Sequence, residues 1–117
     1  MSNEKTGRVT IAPEVLTTIV RQTTLAQAGV WRLSRRTPDT WGRLLGRVVV
    51  EEGIRVCVED AQVKVDIYIL ALPNGSLLEL GHRLQEEIAQ AICHIVGLTV
   101  TSVNVYIENV APQEHQQ

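Results

Sequence analysis

Phenylalanine is missing from this chain of 117 residues, and its aromatic side chains are confined to Trp31, Trp41, Tyr68 and Tyr106. Any core must therefore be aliphatic, and a single domain of this length is large enough to bury one. No run approaches the ~20 apolar residues of a membrane-spanning helix. Residues 1–7, Met-Ser-Asn-Glu-Lys-Thr-Gly, lack the apolar stretch of a signal peptide, so neither export nor insertion is expected. A formal net charge of −2 excludes a global bias toward nucleic acid or acidic membrane. The two cysteines, Cys57 and Cys93, have no metal-ligand spacing, and two buried free thiols are expected rather than a disulfide.

Catalytic arrangements are also lacking. His82 and His94 stand twelve positions apart on one expected helix. At 1.5 Å per residue that is about 18 Å, too far to share a metal ion. His115 lies in a polar tail. Ser34, Ser76 and Ser102 have no nucleophile-elbow setting and no adjacent base. The acid pairs Glu51/Glu52, Glu59/Asp60 and Glu86/Glu87 suit solvated turns and a helix face. The stretch from Gly42 to Gly46 lacks the Lys-Ser/Thr of a phosphate cradle. No enzyme, metal or cofactor is expected.

Periodicity is what the sequence does have. In residues 62–72, Val63, Val65, Ile67, Ile69 and Ala71 alternate with Lys64, Asp66 and Tyr68, the period of a strand with one face on a core. Pro73-Asn74-Gly75 breaks it. Ser76, with Glu79 three residues on, fits a capping box and starts a helix. Leu77, Leu80, Leu84, Ile88, Ala91, Ile92 and Ile95 make its apolar stripe, and Gly97 supplies its stop. Alternation resumes over 100–110, with Val103, Val105 and Ile107 on one side and Asn104, Tyr106 and Glu108 on the other. Strand, helix and strand predict a βαβ unit with parallel strands.

Before this unit, residues 8–11 (Arg-Val-Thr-Ile) read as a short strand. A helix follows with Pro13 at its first position, Ala12 as a poor cap, and a stripe of Val15, Ile19, Thr23 and Ala26 flanked by Leu16 and Val20. It should end near Ala28-Gly29, ahead of a strand over 30–34. Residues 35–46 carry a proline, two glycines and no pattern, which predicts a long surface loop. A brief strand over 47–51 and another over 54–58 lead into residue 62 through an antiparallel hairpin at 59–61. The expected class is α+β, a single mixed sheet with two helices on one face in the order β-α-β-β-β-α-β. One domain should span 7–110, with 1–6 and 111–117 as flexible tails.

Residues 7–15 (Gly-Arg-Val-Thr-Ile-Ala-Pro-Glu-Val), Ala28-Gly29-Val30 with Leu33, residues 63–69, the Asn74-Gly75 turn, Gln85, and Gly97 followed by 103–107 (Val-Asn-Val-Tyr-Ile) together resemble the alkaline shock protein family. These are envelope stress response proteins of Gram-positive bacteria and their relatives. The resemblance spans nearly all of 7–110. It implies a small cytoplasmic α+β protein without catalytic residues, linked to cell-envelope stress, which in some members gathers at the inner face of the membrane through a membrane-anchored partner. Trp41 and the arginines of 35–46 depart from the pattern, as does Ala12 where a capping serine is common.

Two surfaces are candidates for partner binding. Around the loop, Arg32, Arg35, Arg36, Arg43 and Arg47 face only Asp39, which gives +4 locally in a chain of −2, with Trp41 among them. Arginine beside tryptophan suits carboxylates, phosphates and stacking. The plainer reading is a solvated loop whose arginines pair with Glu51, Glu52 or Glu59. The second surface is the sheet's outer face, Lys64, Asp66 and Tyr68 beside Asn104 and Tyr106. Helices on one side only would leave its tyrosines side by side and suited to protein contact. Ordinary cross-strand packing is the alternative. The function expected is a non-catalytic scaffold that self-associates or docks on a protein partner. The rival is a KH-like single-stranded RNA-binding domain using the arginine-rich loop, although Gly42 and Gly46 do not form the Gly-x-x-Gly that such domains use.

Overall fold

A computed structural model of the chain describes residues 6–38 and 47–112. These form two helices, α1 (Glu14–Leu25) and α2 (Leu77–Ile95), and five strands: β1 (Val30–Leu33), β2 (Arg47–Glu51), β3 (Ile54–Glu59), β4 (Gln62–Ala71) and β5 (Thr99–Val110). The fold is α+β, with one mixed sheet and both helices on the same side of it.

β4 is the centre. Its alternating Val63, Val65, Ile67, Ile69 and Ala71 are all fully buried. β5 runs parallel along one edge of β4 from Gln62 to Ala71, as the βαβ reading requires. The other edge is shared: β3 pairs antiparallel with Gln62 to Ile67, and β1 pairs antiparallel with Ile69 to Ala71. Where the two meet, Tyr68 donates its N–H to the Gly53 carbonyl at 2.9 Å and accepts from the Ser34 N–H at 2.8 Å. Gly53 sits in this junction at φ +78°, and a Cβ there would lie 2.9 Å from the Ser34 carbonyl oxygen, so only glycine fits without a shift. β2 adds to the far side of β3.

Capping chemistry sets α2. The Ser76 hydroxyl accepts the Glu79 N–H at 3.2 Å, and beyond the helix Gly97, at φ +88°, donates to the Cys93 carbonyl at 3.0 Å. Leu80, Leu84, Ile88 and Ile92 are buried, with Leu77 and Ala91 packed against them. Ile95 falls at the exposed end of the stripe.

Four sequence expectations require correction. Residues 8–11 alternate like a strand but join no sheet, and Val9 and Ile11 stay 84% and 43% exposed. The cause lies at the start of α1, which is drawn toward β2. The Thr17 hydroxyl bonds Glu51 Oε2 at 2.7 Å and Arg21 pairs with the same carboxylate, so the preceding chain runs outside the sheet. This tether also rotates α1: Leu16, Thr17, Ile19, Val20 and Thr24 are buried, whereas Val15 and Ala26 are exposed. Pro13 is the cap of α1 rather than its first residue. Finally, neither cysteine is buried. Cys57 is half-buried because it alternates out of phase with core residue Val56, and Cys93 is exposed because it lies off the α2 stripe; both are free. At the other end Ala111 is buried, and its N–H bonds the Ala71 carbonyl at 2.8 Å.

Candidate interaction surface

The alternation that buries one side of β4 turns Lys64, Asp66 and Tyr68 to the other, where neither α1 nor α2 lies. Register then builds rows across the sheet. Asp66 stands opposite Arg55 on β3 and Asn104 on β5, and Tyr68 stands opposite Tyr106. The two phenol rings stack, with centroids 4.6 Å apart and planes 11° from parallel. Tyr106 is 44% exposed, and Tyr68 is half-buried beneath its neighbours.

Asp66 is the most enclosed charge on this face, at 9% exposure. It accepts from Arg55 Nε at 2.9 Å and from Asn104 Nδ2 at 2.8 Å, so both carboxylate oxygens are satisfied. Burial alone disfavours the Arg55 charge. The hydrogen bond and the attraction of Asp66 together outweigh it and raise the guanidinium pKa above its ordinary value. Burial also pushes the Tyr68 phenol up, with Asp66 adding to the shift and Arg55 opposing it.

Arg36 links the two candidate surfaces. Its N–H donates to Ser34 Oγ at 3.1 Å, and its carbonyl accepts the Gly53 N–H at 2.7 Å, which fixes the backbone beside Tyr68. From there the guanidinium lies 4.9 Å from the Tyr68 ring centroid and pairs with Glu108 at 3.0 Å. The other arginines do not gather with it. Arg32 covers Trp31 at 4.8 Å, Arg35 is exposed, and Arg47 lies at the start of β2 in the row of half-buried Val58 and core residue Val63. Trp41 and Arg43 lie outside the described residues. Glu51, one of the acids to which the plainer reading assigned the arginine loop, is held by Arg21 of α1.

Sequence reasoning overlooked Arg55, and it turned Glu108 outward without foreseeing its pairing with Arg36. A signal for Arg55 was present: a two-residue turn at Asp60-Ala61, both at positive φ, sets the hairpin register that brings residue 55 opposite residue 66. Glu108 continues the outward set of Asn104 and Tyr106.

His82 borders a trough of about 520 Å³ between the first half of α2 and β5. Its walls are chiefly Leu77, Leu78, Val105, Ile107 and Val110, so it is an apolar groove and not the polar pocket that acid–base chemistry would need. Gln85 crosses the same gap, its Nε2 donating to the Val103 carbonyl at 3.0 Å.

Known proteins share both sequence and shape with this chain. YloU of Bacillus subtilis (strain 168), an uncharacterized protein, is 24% identical over 108 residues, which cover 91% of this chain and 90% of YloU. Uncharacterized protein Spy1614 of Streptococcus pyogenes serotype M6 is 26% identical over 110 residues, covering 92% and 91%. Among solved structures, a MamM-CTD fragment superposes with a TM-score of 0.50 at 16% identity, over 84% of this chain and 99% of its own, a likeness of fold alone. Matched over residues 1–112 by the alkaline shock protein 23 family, described as having a cell envelope-related function, the chain belongs to that family.

Proposed function

We propose that this protein is a non-catalytic interaction module of the cell envelope. It works from the cytoplasm at the inner face of the membrane, binding further copies of itself or a protein partner such as a membrane-anchored one. The observation that carries this reading is the stacked Tyr68–Tyr106 pair on a sheet face that neither α1 nor α2 covers. Tyrosine offers broad contact area at low entropic cost, and stacking has already fixed much of the rings' freedom. Around the pair, Lys64, Asp66 and Asn104 supply polar contacts on one side and Arg36 on the other; Arg32, Arg35, Trp41, Arg43 and Arg47 are a separate candidate, carried by the sequence alone. No helix of the described residues is long and apolar enough to cross a membrane.

The test is sedimentation of the purified chain, together with capture of partners from its native cell, comparing wild type with Tyr106→Lys. The side chain is exposed enough for the variant to fold, and it should lose concentration-dependent association or specific prey. Unchanged association and unchanged prey would refute the reading.

Stacked tyrosines on an open sheet could also receive the bases of single-stranded RNA. Two of the nearest cations, Arg36 and Arg55, are already paired with Glu108 and Asp66, which reduces what remains for phosphate. A salt titration of single-stranded RNA binding separates the readings. A steep loss of affinity with salt, abolished by Arg35, Arg36 and Arg43→Ala together, would favour RNA.

A further inference from the structure

Two parts of the molecule have complementary deficits. The segment 8–11 has strand-forming alternation and β-branched residues, yet it lies outside the sheet with Val9 and Ile11 exposed. At the opposite margin, β5 is an edge strand. Its Val103 carbonyl points outward to Gln85, and by the alternation of a parallel ladder the amide groups of Val105 and Ile107 face the same open side. Beside this edge runs the apolar trough roofed by Leu78, itself 71% exposed. An unpaired edge next to an apolar groove is a template for an added strand.

We infer that residues 8–11 of one copy add to the β5 edge of a second copy, with Val9 and Ile11 entering the trough beside Val105 and Ile107. Alternate residues of an extended chain repeat every ~6.7 Å, the same interval that separates Val105 from Ile107. In that register Arg8 and Thr10 emerge on the open face, where Arg8 meets the Glu108 carboxylate and the rim of Tyr106. In this structure the donor is not the same molecule, since residues 8–11 join no strand. Glu51 tethers the start of α1 over β2, three strand spacings from β5, or roughly 14 Å across the sheet. Donor and acceptor therefore lie on opposite margins, and the contact is head-to-tail, a geometry that extends into open chains unless a rotation closes it into a ring.

This rests on the self-association part of the proposed function and assigns it a second surface, distinct from the tyrosine face. The test uses the full chain in sedimentation velocity over a range of concentrations. Val9→Lys with Ile11→Lys spoils the donor, and Leu78→Lys spoils the acceptor. All three side chains are exposed, so each variant should keep the wild-type melting curve. In a Tyr106→Lys background, which removes the tyrosine face, each alone is expected to sediment as a monomer. Mixed, they should form a heterodimer and nothing larger, because one retains a donor and the other an acceptor. The inference is overturned if the Val9/Ile11 variant assembles as wild type does, if the mixture stays monomeric, or if wild type itself never exceeds a monomer. Tyr106→Lys run in parallel separates the two surfaces: assembly lost there but kept in the Val9/Ile11 variant would sink the strand addition and leave the tyrosine face standing.

Discussion

The two faces of β4 are made by the same ten residues and held by different physics. Toward the helices stand Val63, Val65, Ile67, Ile69 and Ala71, all fully buried and joined to Leu84, Ile88 and Ile92. Their contribution scales with apolar area and needs little directional precision. Away from the helices stand Lys64, Asp66 and Tyr68, whose neighbours are chosen one by one: Arg55 and Asn104 for the carboxylate, Tyr106 and Arg36 for the ring. The first face keeps the molecule folded. The second keeps polar and aromatic groups in fixed positions while leaving them in reach of other molecules, which is the state an interaction surface requires.

The sharpest way to break this contrast is to cut each face once and compare the costs. Ile67→Ala should destabilise the fold by about 2–5 kcal/mol through lost burial and a cavity, read as a fall in the denaturant midpoint. A cost near zero would mean that the aliphatic side is not the source of stability. Asp66→Ala should cost less, about 1–3 kcal/mol, because it strands the Arg55 guanidinium and the Asn104 amide. Removing Arg55 as well should recover part of that loss, and a double-mutant cycle measures how much. If the two losses simply add, the network is not a unit.

The smallest expected effect is a dependence on pH. Tyr68 is held above the ordinary phenol pKa, near 10, so the folded chain keeps this proton where the unfolded chain releases it. The associated stability is fully present below pH ~10 and falls as pH rises through the raised value in the folded state. Thermal melts across that window, followed by tyrosinate absorbance, should show a decline that Tyr68→Phe removes.

Much of this was legible before any coordinates. Period-two alternation in β4 and β5, and the Ser76 to Gly97 frame of α2, are strong local signals, and they fixed both the sheet face and the outward pairing of Tyr68 with Tyr106. Long-range ties were not legible. Nothing near Thr17 or Arg21 in sequence announces Glu51, yet that carboxylate turns α1 by enough to expose Val15 and bury Thr17 and Thr24. Residues 8–11 carry an authentic strand pattern, but a pattern cannot say whether a free edge lies within reach. Arg36 looked like one cation of a solvated loop. Its place over Tyr68 follows from the Gly53 junction, which appears only once β1 and β3 are known to share an edge.

That junction has a consequence for how the chain can vary. Because the Arg36 carbonyl receives the Gly53 N–H at 2.7 Å, and Gly53 and Ser34 both bond the Tyr68 backbone, four residues from three parts of the chain meet at one point. A side chain added at position 53 would press on the Ser34 and Tyr68 carbonyls together, so one substitution there would disturb β1, β4 and the backbone that holds Arg36. The order of the tyrosine face thus hangs on the smallest side chain near it.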